Sequence, residues 1–175
     1  MSIARIPLGG LAAAALVLLA VAPAGAQTSA IEGVRTEFTA VKTSVMTAAN
    51  KAPETLYDYQ PTPEVFTLRK MLLHIADASY SICASFKGEP GQRPKVDANA
   101  LLPKADVITH LTASFAFCDA ALSSANDATL AEVVTATSGT KRPKSYHASH
   151  LLAHTSLHYG NVVTYLRINK LSPGD

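Results

Sequence analysis

Ser145-Tyr-His147-Ala-Ser-His150-Leu151-Leu-Ala-His154-Thr-Ser-Leu-His158-Tyr-Gly-Asn161-Val162-Val-Thr-Tyr165-Leu166-Arg167 is the stretch on which the reading of this chain turns. Four of the chain's six histidines fall within it. At about 100° per residue they occupy an arc of roughly 80° on a helix. They form an imidazole stripe beside the apolar stripe of Leu151, Val162 and Leu166. His154 and His158 stand one turn apart, so both rings can reach one ion. A pair at this spacing also occurs as two solvated or capped histidines, and spacing alone leaves both readings open.

Working outward, three further helices follow from apolar periodicity. Ser29 and Glu32 have the spacing of a capping box, and Ile31, Val34, Phe38, Val41 and Val45 line one face behind them until Pro53. Thr62-Pro63-Glu64 reads as the start of the second helix: a cap, a proline at the first position and an acid at the positive end of the dipole. Its stripe is Val65, Leu68, Leu72, Ile75, Ile82 and Phe86, with Gly88 as the stop. Val107, Leu111, Phe115, Cys118 and Leu122 mark the third helix. The polar stretch 126–144 is expected to hold one short helical turn, with the fourth helix over about 145–169. No strand alternation or repeat is visible, and the expected fold is all-α, a four-helix bundle.

The chain's start reads as a leader. Arg5 charges a short head, residues 8–22 are almost wholly apolar, and Ala24-Gly25-Ala26 supplies a small-residue exit. The run of about 15 residues falls short of the roughly 20 that span a bilayer. Residues 1–26 are therefore expected to be a signal peptide, with 27–175 as one domain that is periplasmic or secreted and has no membrane segment of its own. Without Arg5, 14 Lys and Arg face 13 Asp and Glu, a balance that lacks the basic footprint of a nucleic-acid binder.

His74 lies on the shoulder of the second apolar stripe, between Met71 and Ala78. A third imidazole from a facing helix would complete a three-nitrogen site suited to zinc, nickel, copper or iron(II). Leu68-Arg-Lys-Met-Leu-Leu-His74-Ile-Ala-Asp77-Ala78 resembles the second-helix motif of the DinB/YfiT-like proteins, and His154-Thr-Ser-Leu-His158 with its continuation to Arg167 is similar to their fourth-helix motif. The resemblance spans nearly all of residues 27–175. It implies an up-down-down-up bundle holding one divalent metal, zinc or nickel foremost, on His74, His154 and His158. It also implies a metal-dependent hydrolase or thiol-transferase acting on a small molecule not named by the sequence. A non-catalytic envelope metal carrier and a dimeric interaction bundle with a vestigial site are the alternatives. His147 and His150 lie outside the matched motif and are expected as polar lining or satisfied surface positions, with a second metal contact as the alternative.

Three protein ligands leave a metal position open, as in catalytic rather than structural zinc. Candidates for handling protons or orienting substrate are Asp77, Asn161 and Tyr165, each equally readable as an ordinary polar helix residue. Cys83 and Cys118 fall about equally far along helices two and three. Their sulfurs come level if those helices are parallel and stand about 15 Å apart if antiparallel. The topology implied by the resemblance makes them parallel, and with it a Cys83–Cys118 disulfide is expected.

Overall fold

A computed structural model describes residues 29–174; the leader expected over residues 1–26 lies outside them. The chain forms α1 (Ala30–Lys51), α2 (Leu68–Lys87), α3 (Lys104–Ser123) and α4 (Lys144–Ile168), a four-helix bundle running up, down, down, up. The stripes read from the sequence meet in one core. Phe38 and Val45 of α1, Leu72 and Ile75 of α2, Leu111 and Phe115 of α3, and Leu151 and Leu166 of α4 are all buried in it. Each such side chain contributes about 1.5–3 kcal/mol relative to an exposed one. Phe38 and Phe115 meet edge to face with ring centroids 5.9 Å apart.

Charged side chains tie the helix ends together and fix the directions. Asp127, just beyond α3, accepts hydrogen bonds from the N–H groups of Ala30 at 3.1 Å and Ile31 at 2.9 Å. Arg35 donates to the Leu122 carbonyl at 2.8 Å and that of Ala125 at 2.7 Å. At the other end, Lys104 donates to the carbonyls of Asn50 and Ala52 at 2.8 and 2.7 Å. An anion thus meets the N-terminus of α1, and cations meet the C-terminal carbonyls of α1 and α3, as the helix dipole favours. This arrangement makes α1 and α3 antiparallel.

α2 and α3 are parallel, and Cys83 and Cys118 are joined in a disulfide with Cα atoms 5.3 Å apart. The crossover between these helices is anchored by Asp77, which accepts from Arg93 at 2.6 Å and from the Val96 N–H at 3.2 Å.

Three local expectations fail. The Ser29 side chain does not cap α1. Its hydroxyl instead donates to Asp127 at 2.8 Å, while Glu32 pairs with Arg35. A carboxylate brought in from the α3–α4 connection is the stronger acceptor and displaces the local box. α2 starts at Leu68, not at Thr62-Pro63-Glu64. Thr67 is the cap, accepting from the Lys70 N–H at 3.1 Å. The Gln60 amide binds the carbonyls of Pro63 and Val65 at 3.2 and 2.6 Å, holding the earlier residues in a turn and leaving Val65 exposed.

The stretch 126–144 is the third departure. It holds the expected helical turn, a 3-10 segment at Asp127–Ala131, but also an antiparallel pair, β1 (Val133–Thr135) and β2 (Lys141–Pro143). The tip of this hairpin docks on α2: the Thr137 N–H donates to Ser85 Oγ at 3.1 Å, and the Thr137 and Ser81 hydroxyls lie 2.9 Å apart. Gly88 ends α2 at φ 79°, with Val134 beside it. Among the described residues, no helix is long and apolar enough to cross a membrane.

Candidate metal centre

α2 and α4 pack against one another along the faces that carry His74, His154 and His158. The three are brought together: one ligand atom from each lies within 4.8 Å of the others. Ring centroids are 5.1 Å apart for His74–His154, 4.7 Å for His74–His158 and 4.4 Å for His154–His158. The one-turn spacing on α4 and the shoulder position on α2 produce this triangle directly, because the bundle turns both shoulders to the same side.

The start of α2 is pinned against the site. Tyr165 donates its hydroxyl proton to the Phe66 carbonyl at 2.8 Å, and the Phe66 ring stands edge-on to His74 at 5.7 Å. Phe66 is therefore a wall of the site. Spacing gave no sign of this role, because Phe66 lies in the turn before α2 and off its apolar stripe.

All three rings favour the neutral state. Burial is the main cause at each. His154 is pushed down to about 4, with His158, His74 and His150 adding repulsion. His158 is lowered by burial and then by His74. His74 is lowered by burial, opposed by Asp77 and reinforced by Lys70. Neutral imidazoles have free lone pairs at neutral pH, and such a donor set fits a divalent ion of the zinc or nickel type. Among the described residues this is the one cluster of at least three His, Cys, Asp or Glu side chains close enough to hold a metal.

The remaining candidates divide. Asn161 stays at the site: its amide nitrogen is 3.5 Å from His158 Nδ1, at the outer limit of a hydrogen bond. Asp77 is committed to Arg93 and the crossover backbone, and its influence on His74 is through space. Tyr165 is buried and spends its proton on the Phe66 carbonyl, so it positions the turn before α2. His150 continues the stripe, its ring 5.9 Å from His154. His147 leaves the cluster and is buried beneath the hairpin.

A cavity of about 440 Å³ opens beside His158, lined largely by apolar groups including Val65, Phe66 and Met71, with Asn161 at its edge. The larger cavity between α1 and α3, about 680 Å³, has no histidine in its wall. The chemistry places the candidate site at the smaller one.

The fold is shared with proteins of distant sequence. A DinB-like protein from Bacillus cereus ATCC 10987 superposes with a TM-score of 0.66 at 19% identity, over 83% of this chain and 96% of that one. A histidine-to-alanine mutant of the mycothiol-dependent maleylpyruvate isomerase gives 0.60 at 13% identity, over 75% of this chain and 60% of that one. A DinB family member from Shewanella denitrificans gives 0.55 at 15% identity, over 83% and 84% of the two chains. No curated protein matches the sequence. The family model of the DinB superfamily matches residues 37–162, a span that takes in all three clustered histidines. The chain belongs to the DinB superfamily.

Proposed function

We propose that this protein is a metal-dependent enzyme acting on a small molecule, with one divalent ion, zinc or nickel, on His74, His154 and His158. The observation that carries the reading is the triangle itself: three neutral imidazoles from two helices, with ligand atoms within 4.8 Å of one another and one of them, His158, in the wall of a largely apolar cavity. A divalent ion with three protein ligands keeps positions open and supplies Lewis acidity to an oxygen or sulfur nucleophile. The chain's own residues present the lone pairs, hold the His158 ring through Asn161, and shield one side with Phe66. Such outer contacts orient a ligating histidine and fix which nitrogen faces the ion.

Two nucleophiles fit. The fold likeness to a mycothiol-dependent isomerase supports a thiol. The leader read in residues 1–26 and the disulfide support an exported, oxidising setting, where low-molecular-weight thiols are scarce and water is the better reactant. We favour hydrolysis in the periplasm or outside the cell.

A second reading, an envelope metal carrier, draws on a specific observation. Asp77 and Tyr165, two of the groups that would manage protons, are already bonded elsewhere. Turnover separates the readings. A panel of ester, amide and thiol substrates should reveal one reaction that stops on chelation, returns with metal and is absent in His158→Ala. Stoichiometric metal binding with no turnover of the panel by any reconstituted form would favour the carrier.

A further inference from the structure

His147 is 4% exposed, and its Nε2 is buried without a hydrogen-bond partner. Leaving such a group unpaired costs about 1–3 kcal/mol, so its surroundings matter. It lines a second cavity, of about 260 Å³, enclosed by α2, the hairpin and the first turns of α4. The polar side chains that matter there are Ser81, Ser85, Thr137, Arg142 and His150.

The hydroxyls are already used in docking the hairpin. Ser85 donates to the Ser81 carbonyl at 2.8 Å and accepts from the Thr137 N–H, while Ser81 and Thr137 bond to each other. Of the groups left on the wall, the Tyr146 hydroxyl, the His150 ring, His147 Nε2 and the Arg142 guanidinium, the last two stand out, one as a buried atom without a partner and the other as a fixed positive charge. Arg142 lies over the Tyr146 ring at 5.4 Å and, among the described residues, makes no ion pair. No Asp or Glu lines the cavity.

A wall with a guanidinium and a buried imidazole, and no carboxylate, disfavours a cation and favours an anion. A planar guanidinium pairs best with carboxylate or phosphate. The cavity also adjoins the three-histidine cluster, since His150 lines it and stands 5.9 Å from His154.

We propose that this cavity is a carboxylate subsite, in which Arg142 and the Nε2–H of His147 hold the carboxylate of a small organic acid whose other end extends past His150 to the three-histidine centre. It deepens the enzyme reading above and rests on it for the direction in which the acid extends. The buried imidazole gains its missing partner from the ligand once its ring turns or the hairpin tip gives way, because Nε2 has under 1 Å² of accessible surface as it stands. Arg142 at the rim gains its counter-ion. Burial, and next to it His150, keeps His147 low in pKa, which favours the neutral ring; in the proposed complex that ring carries its proton on Nε2. The hairpin, which the sequence did not reveal, becomes the lid of a specificity pocket.

The test is a titration of the purified protein with succinate, followed by the imidazole ¹⁵N signals, with succinamide as the uncharged control. The expected result is a saturable shift at His147 Nε2 with succinate and none with succinamide. Affinity should fall by about tenfold or more in Arg142→Gln and recover in part in Arg142→Lys, a loss in the range expected for a charged hydrogen bond. Arg142 is exposed, so these variants leave the core untouched. The same response should persist in His74→Ala. No saturable shift, an equal response in Arg142→Gln, or a response that vanishes in His74→Ala would overturn the subsite, the last by placing the anion on the metal. A wild-type protein that takes up no metal yet binds succinate through Arg142 would count against the enzyme reading alone. A metal-loaded protein indifferent to succinate would count against the subsite alone.

Discussion

At the scale of single residues, the site is governed by the cost of charging imidazoles that are partly buried together. His74, His154 and His158 all titrate below the ordinary histidine value in the folded chain. A depressed folded-state pKa means that the unfolded chain binds more protons. The metal-free protein therefore holds its full stability above about pH 6.5. It loses stability as pH falls towards 4, the value to which His154 is pushed. Asp127, also lowered by its bonds to Ser29, Ala30 and Ile31, acts below that window. Thermal melts of metal-free protein should thus fall steadily from pH 6.5 to pH 4, and His154→Leu should flatten that slope. A flat wild-type profile across the window would contradict the burial argument.

Asn161 belongs to the same scale. If it orients His158, Asn161→Ala should weaken metal affinity by about 10-fold or more while leaving the melting temperature of the metal-free protein unchanged. A competition titration against a chelator measures this, and unchanged affinity would reduce Asn161 to a bystander. The pairing of His154 with His158 was legible in the sequence because one helical turn sets it, while His74 as their third partner followed from the family resemblance. The outer contacts were not legible. Tyr165 reaches the Phe66 carbonyl and Arg93 reaches Asp77 across loops whose paths no local spacing encodes.

Among the elements, helix starts show where local signals compete. Thr62-Pro63-Glu64 and Thr67 both offer a plausible beginning for α2. Gln60 decides between them by taking the carbonyls of Pro63 and Val65 into a turn. Thr67→Ala should therefore cost about 1 kcal/mol in chemical denaturation, a normal N-cap loss. Thr62→Ala should stay within about 0.5 kcal/mol, as expected for a surface change. The reverse order would restore the earlier helix start.

The hairpin escaped the sequence because its strands are only three residues long and mostly exposed, too short to show alternation. What holds it is Thr137 on Ser81 and Ser85, contacts more than fifty residues apart in the chain. The cap on α1 was hidden for the same reason, since Asp127 arrives from 97 residues beyond Ala30.

For the whole molecule, the bundle's order of helices matters more than any one helix. The parallel α2 and α3 require a long crossover, and the Cys83–Cys118 bridge closes a loop across it with a sequence separation of 35. By loop entropy that closure is worth roughly 3–4 kcal/mol. Cys83→Ser with Cys118→Ser should lower stability by about that amount in urea. Thiol titration of the unfolded, unreduced wild-type protein should find no free thiol.

The antiparallel α1 and α3, locked at both ends by Asp127, Arg35 and Lys104, form the opposite side of the bundle. α2 and α4 are thereby left to present the histidines. The four-helix architecture followed from apolar periodicity, and its up-down-down-up order followed from the family resemblance. The central claim is that the three histidines form one metal site. Elemental analysis of protein purified without an affinity tag, beside His74→Ala and the double variant His154→Ala/His158→Ala, tests it directly. The account predicts about one equivalent of divalent metal in the wild type, lost in both variants. A wild-type protein that takes up no metal after incubation with zinc, nickel and copper, or variants that keep it, would contradict the account.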